Sequence, residues 1–180
     1  MNAGRAALAA TPDNGVTIFY QSDIKRDGTW VDKSYLCQKA AEAEGRALLW
    51  HKIVCRHPAG SVTYGRPSYS HILCFSKEVR APVEASTADV LPEAGEKTWT
   101  RGMGIEACLL VARFIAEHTQ TTTVIHPFCG EGSMLAAANA LGLSAIGIER
   151  SPKRAEKARK LTLDLEARAW RTEERASARS

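Results

Sequence analysis

Residues Val124 to Arg150, VIHPFCGEGSMLAAANALGLSAIGIER, constrain this chain more than any other stretch. A short β-branched run ends at His126, and two glycines follow in the turn Phe128-Cys129-Gly130-Glu131-Gly132. A helix of small residues then runs from Ser133 to Leu141 and is stopped by Gly142. A second strand, SAIGIE, closes on Glu149. Glycines between a strand and a helix permit a tight turn and let a ligand lie against bare backbone, while the N–H groups at a helix start favour an anion. The carboxyl edge of such a sheet is where α/β proteins take their ligands. A carboxylate at the end of the next strand can accept both hydroxyls of a ribose. The stretch therefore predicts an adenosine-containing cofactor. A lone GxG is more often an ordinary tight turn, but the strand before it, the helix after it and Glu149 favour the ligand site. A phosphate-cradling loop would need Gly-Lys-Ser/Thr, which is absent. A dinucleotide fingerprint would place a small residue where Leu135 stands.

The rest of the chain supplies an α/β setting. Val16–Tyr20 is β-branched and aromatic and reads as a strand after the turn PDNG. SDIKRDGTW reads as a polar loop. Asp32 is placed to cap a helix that Gly45 ends. ALLWHKIVC (47–55) and YSHILCFSK (69–77) read as strands of an antiparallel pair around a Gly/Pro-rich loop. The Ala-rich residues 1–14 and the Pro/Ala/Glu segment 78–98 carry no periodicity. Ile105, Leu109, Ala112, Phe114 and Ile115 form a helical stripe. Ser151-Pro152 opens a last helix, with Ala155, Ala158, Leu161 and Leu165 facing inward and Lys153, Arg154, Lys157 and Lys160 outward. Helices alternating with short apolar strands predict a mostly parallel α/β sheet of Rossmann-like type carrying one antiparallel hairpin.

No apolar run approaches the roughly 20 residues of a membrane span. The five cysteines are odd in number and scattered, which predicts reduced thiols and a cytoplasmic setting. A net charge of +4 permits a polyanionic partner without demanding one.

The segment HPFCGEGSMLAAANALGLSAIGIERSPKRAEKAR resembles the DPF-x-G-x-G…GIE signature of S-adenosylmethionine-dependent methyltransferases. The likeness is to those that methylate exocyclic amino groups in nucleic acids. LLWHKIVCR and YSHILCFSK are similar to two further strands of that family, and RGMGIEACLLVARFIAEHT stands where a helix precedes its cofactor loop. The substrate half comes first, as in the permuted members. The resemblance, over about residues 15–160, implies one methyltransferase-like domain at 15–170. Its substrate half would be 15–77, a linker 78–98 and its cofactor half 99–170, between flexible ends at 1–14 and 171–180. His126, Pro127, Phe128, Gly130 and Gly132 would line the methionine and ribose side of S-adenosyl-L-methionine, and Glu149 would hold the ribose hydroxyls. Thr100–Met103, including Arg101, would close over the methionine end. A nucleic acid, DNA or RNA, would be the partner, modified at a base nitrogen.

The sequence departs from the pattern in three ways. His126 replaces the usual Asp; it can donate to the cofactor's polar tail but brings no negative charge. The catalytic [DNS]-P-P-[YFW] tetrapeptide, which would hold the target amino group while its ring stacks the base, is absent. Two sheet strands expected before Val16 have no counterpart. The chain is therefore expected to be the C-terminal portion of a longer enzyme, or to need a partner chain that supplies the catalytic motif. Two other functions stay open: a methyltransferase-fold scaffold without chemistry, and a nucleotide-binding oxidoreductase.

Other groupings are weaker. His51, Cys55, His57, His71 and Cys74 contain no CxxC or HxxxH pair, so ordinary strand residues explain them better than zinc. Cys129 at a helix start can be imagined as an activated thiol, but a small apolar residue in a cofactor turn is the plainer reading. Asp23, with Lys25 and Asp27, follows the first strand at its carboxyl edge and is a candidate for substrate contact. Lys52, Arg56, Arg66 and Tyr69 suggest a basic and aromatic patch for phosphates and stacked bases.

Overall fold

The computed structural model describes residues 2–172, which fall into two units divided between Glu93 and Ala94. The first unit runs α1 (Asn2–Ala10), β1 (Thr17–Gln21), β2 (Ile24–Arg26), β3 (Thr29–Val31), α2 (Lys33–Ala43), β4 (Ala47–Cys55), β5 (Tyr69–Ser76) and β6 (Val90–Leu91), with a 3-10 turn at Val83–Ala85 before β6. Its sheet has the order β1-β5-β4-β6. β5 is antiparallel to both neighbours, pairing Ile18 with Cys74 and His51 with Leu73, and β6 lies parallel to β4. A central strand flanked on both sides must satisfy apolar neighbours on both faces, and β5 is buried from Ser70 to Ser76.

α2 begins where the sequence predicts. The Asp32 carboxylate accepts from the Tyr35 N–H at 2.8 Å, and Gly45 beyond the helix has φ +68°. Asp32→Ala should cost about 1 kcal/mol, read as a fall in the urea-unfolding midpoint. α2 lays Ala41 on Leu73 and Phe75, with Phe19, Cys37 and Ala40 around them. The Phe19 and Phe75 rings meet edge-on with centroids 6.0 Å apart.

The second unit runs α3 (Ile105–His118), β7 (Thr123–His126), α4 (Ser133–Ala140), β8 (Ser144–Gly147), α5 (Pro152–Lys160), β9 (Leu161–Asp164) and β10 (Ala169–Thr172). β7 and β8 pair in parallel, with Ile125 opposite Ile146, and α4 makes the crossover between them. α4 is built from Ala and Met on its inward side, so α3, β8 and β9 can all pack on it. α3 buries Ile105, Leu109, Ala112, Phe114 and Ile115, the stripe predicted from its periodicity.

Five expectations are corrected. The sheet is mixed rather than mostly parallel: β4·β6 and β7·β8 are the parallel pairs among the described residues, and the other pairings are antiparallel. The Ala-rich start holds a helix, α1, whose Leu8 is fully buried in the α2 core. The polar loop after β1 is a tight hairpin, β2–β3, which Asp27 and Gly28 turn with positive φ. Residues 78–98 are not featureless, because β6 adds a short parallel strand. The last helix stops at Lys160, and Leu161 and Leu163 are inward residues of the hairpin β9–β10. The tail expected at 171–180 lies, beyond Thr172, outside the described residues. No helix among the described residues is long and apolar enough to cross a membrane.

Candidate functional site

The glycine turn sits at the carboxyl ends of β7 and β8. Gly130 and Gly132 both adopt the left-handed region, at φ +59° and +88°. A Cβ on Gly130 would stand 3.2 Å from Cζ2 of Trp99, and one on Gly132 would stand 2.8 Å from the Ala158 Cβ. The two glycines are thus required by conformation and by close approach at once.

Glu149 crosses from the end of the β8 segment to the turn. Its Oε2 accepts from the Gly130 N–H at 3.1 Å and its Oε1 from the Ser151 N–H at 2.8 Å. The Arg154 guanidinium stands 3.9 Å away, and the Glu149 side chain is 12% exposed. The Ser151 N–H, then the Arg154 charge and the Gly130 N–H, hold the carboxyl below its ordinary range. It is an anion at neutral pH with lone pairs left over, since a carboxylate offers about four acceptor sites. Two bare glycine backbones beside such a carboxylate fit a ribose diol.

His126 ends β7, and its Nδ1 accepts from the Phe128 N–H at 3.3 Å. Burial lowers its pKa, so it is a neutral ring with the proton on Nε2. Pro127 and Phe128 are exposed, Phe128 by 68%. Arg101 is exposed in the turn before α3. Two residues that the sequence did not single out complete the turn. The Trp99 ring lies against Gly130, and the Arg154 guanidinium carbon is 4.6 Å from the ring centroid. Thr98 and Ser133 share a hydroxyl–hydroxyl bond of 2.9 Å, and Lys157 pairs with Glu131 at 2.7 Å. A tryptophan just before the predicted helix α3 and an arginine in the first turn of α5 were the available signals. Cys129 is no activated thiol: burial and the Glu149 charge both push its pKa up.

In the first unit Asp23 is interior, 2% exposed. Its Oδ1 accepts from the Lys33 N–H at 2.8 Å, and its Oδ2 from Trp30 Nε1 at 3.1 Å and from His71 Nε2 at 3.1 Å. His71 Nδ1 in turn meets His51 Nε2 at 2.8 Å. With Asp23 ionised, His71 Nε2 donates to it, and a single proton is shared between His71 Nδ1 and His51 Nε2. These histidines are occupied by one another and by Asp23, and no metal-binding group of three acids, cysteines or histidines occurs among the described residues.

Lys52 is likewise interior. Only 5% exposed, it donates to the Thr87 and Ala88 carbonyls at 2.9 and 3.1 Å and pairs with Asp89 at 3.3 Å. It ties β4 to the segment entering β6 and does not belong to a surface patch. Arg66 is exposed in the loop between β4 and β5.

No family model and no curated protein sequence matches the chain. Solved structures do. A candidate DNA modification methylase from Thermus thermophilus, complexed with S-adenosyl-L-methionine, superposes with a TM-score of 0.65 at 18% identity, over 86% of this chain and 71% of that one. The M1.HpyAVI–SAM complex gives 0.65 at 16% identity, over 89% and 80%. PvuII DNA methyltransferase, cytosine-N4-specific, gives 0.61 at 10%, over 82% and 63%. At these identities the likeness establishes the fold: this chain has the α/β fold of those methyltransferases.

Proposed function

We propose that the chain is an S-adenosyl-L-methionine-dependent methyltransferase, or the cofactor-binding part of one, acting on nucleic acid at a base nitrogen. The observation that carries this reading is the Glu149 carboxylate bonded to the Gly130 N–H at the mouth of a parallel β7–α4–β8 unit. Two of the structural neighbours were solved with this cofactor, which supports it as the ligand. One is named as a candidate DNA modification methylase and one as a DNA methyltransferase, which supports the substrate class.

Glu149 would hold the ribose diol with its remaining lone pairs. Gly130 and Gly132 would let the ligand lie on bare backbone, and Phe128 would cover its apolar side. His126, neutral with an Nε2–H, would donate to the polar tail, and Arg101 would stand near the methionine end. The cofactor supplies an electrophilic methyl on a sulfonium. With the cofactor held by Glu149, Gly130 and Gly132, that methyl would be available to a substrate nitrogen, the sulfur leaving as a thioether and the nitrogen's proton passing to solvent. The protein's work is then positioning and charge arrangement.

Calorimetric titration of the chain with S-adenosylhomocysteine tests this. Wild type should bind, Glu149→Ala should bind roughly tenfold to a hundredfold more weakly because charge-assisted bonds are lost, and NAD should not bind. Absence of binding in wild type sinks the reading. Binding without transfer to DNA or RNA, when the chain is supplied with segments carrying the catalytic tetrapeptide, would favour the scaffold reading.

A further inference from the structure

The first unit carries a second feature that the cofactor turn does not explain. The β2–β3 hairpin and the loop joining β4 to β5 are stitched together: the Lys25 N–H donates to the Gly65 carbonyl at 2.8 Å, and Lys25 Nζ donates to the Thr63 carbonyl at 3.0 Å. Two large aromatic rings stand out from this joint surface. Trp30 is 48% exposed and Tyr64 is 91% exposed. Cations stand among them. Lys25 Nζ is 5.3 Å from the Trp30 ring centroid, and Arg26 and Arg66 are exposed on the hairpin and the loop. The one acid on the hairpin turn, Asp27, is held 3.8 Å from Arg26. A shallow cleft runs along residues 25–30.

Trp30 and Tyr64 together expose more aromatic surface on the joined hairpin and loop than a lone exposed ring would. The Trp30 ring is also fixed. Its indole N–H is anchored on Asp23, whose other bonds to the Lys33 N–H and His71 lie inside the unit. A ring held in place before contact loses little freedom on binding, which is how a stacking platform gains affinity. Aromatic faces stack on any base, and neighbouring lysine and arginine side chains meet the phosphates between bases. An apolar protein partner would leave these cations without a match.

We propose that the β2–β3 hairpin and the 56–68 loop form a contact for single-stranded nucleic acid, in which Trp30 and Tyr64 stack unpaired bases and Lys25, Arg26 and Arg66 meet the flanking phosphates. The proposal rests on the nucleic-acid reading above and adds to it where, and in which form, the strand is held. It replaces the patch expected around Lys52 and Tyr69.

The test is fluorescence anisotropy of a labelled mixed-sequence oligodeoxynucleotide, single-stranded and as a duplex, titrated with the 180-residue chain. S-adenosylhomocysteine titrations on the same proteins keep the two readings apart. The expected result is tighter binding of the single strand than of the duplex, weakened about tenfold by Trp30→Ala and about tenfold by Tyr64→Ala. Arg66→Ala should weaken binding and lower the salt slope by about one, while cofactor binding stays unchanged. Tyr64 is almost wholly outside the fold, so its variant remains decisive even if Trp30→Ala loosens Asp23. Equal affinity of wild type, Trp30→Ala and Tyr64→Ala for the single strand would overturn the proposal and leave the methyltransferase reading standing. So would polyglutamate binding as tightly as the strand, which would mark a plain cationic patch. Cofactor binding with no binding of any oligonucleotide would remove both this contact and the nucleic-acid substrate.

Discussion

Replacing Asp23 by alanine is expected to cost the first unit about 3–5 kcal/mol, the range for removing one partner of a buried ion-paired group. The size follows from what is left behind. Trp30 Nε1, His71 Nε2 and the Lys33 N–H all donate to this one carboxylate, and each loses its acceptor, the His71 nitrogen in the interior and the other two in part-buried positions. Asparagine should rescue little. It has one acceptor oxygen, so its NH2 group would face either the Lys33 N–H or the pair of Trp30 and His71 donors. Urea-unfolding midpoints of wild type, Asp23→Ala and Asp23→Asn measure this, and near-equal losses in the two variants are the expected pattern. The same carboxylate sets an acid limit. Burial pushes its pKa up, but the hydrogen bonds from His71, the Lys33 N–H and Trp30, with the His71 charge, outweigh burial and leave it below its ordinary value. A lowered folded value means that the stabilisation is complete above the ordinary aspartate range and is lost as pH falls through the lowered one. Wild-type stability should therefore fall steeply from about pH 4 downward. The Asp23→Asn variant should show a shallower fall over the same interval; an identical fall would mean that Asp23 is not ionised in the fold.

Gly132→Ala should be the most damaging single substitution in the glycine turn, lowering stability by about 2–5 kcal/mol and, on the proposed function, abolishing S-adenosylhomocysteine binding. Two costs combine. A side chain at φ +88° carries left-handed strain, and the new Cβ would stand 2.8 and 2.9 Å from the Cβ and Cα of Ala158. One of those atoms belongs to the backbone of α5, so no side chain can rotate away; the helix must move, and with it Arg154 and its hold on Trp99. Gly142→Ala is the matched control. Its φ of +80° imposes similar strain, but nothing lies within 4 Å of the added carbon, so it should lose only the strain of about 1–2 kcal/mol. The difference between the two urea midpoints isolates the close approach of α5. Equal losses would show that conformation alone, rather than packing under the turn, makes Gly132 necessary.

The elements that were legible are those whose signal is local. Asp32 and Gly45 bracket α2 because a cap and a left-handed stop act through their own neighbours. The stripe of α3 and the apolar runs of β4 and β5 repeat at the helix and strand periods. Where two periods fit one stretch, the reading failed. In LTLDL, Leu161 and Leu165 are spaced for a helix while Leu161 and Leu163 alternate for a strand, and the β9–β10 hairpin decides for the strand by pairing Leu163 with Trp170. α1 showed only alanine's helix propensity and no stripe to say which face packs; its one informative residue, Leu8, counts only against Leu73 and Phe75, far along the chain.

The sequence alone determined the glycine turn: two glycines, a following helix and a strand-ending glutamate are short-range requirements, and the fold sets the Gly130 N–H against the Glu149 carboxylate. Tertiary structure alone decided which polar residues face water. Asp23 and Lys52 look like surface charges in the chain, yet both are interior, because their partners come from elements remote in sequence: His71 for one, the Thr87 and Ala88 carbonyls for the other. Trp30 and Tyr64 show the converse, large rings left outside. A strand or turn position specifies a side chain's direction but not what the fold sets in front of it, and burial of a charge is settled by that second quantity.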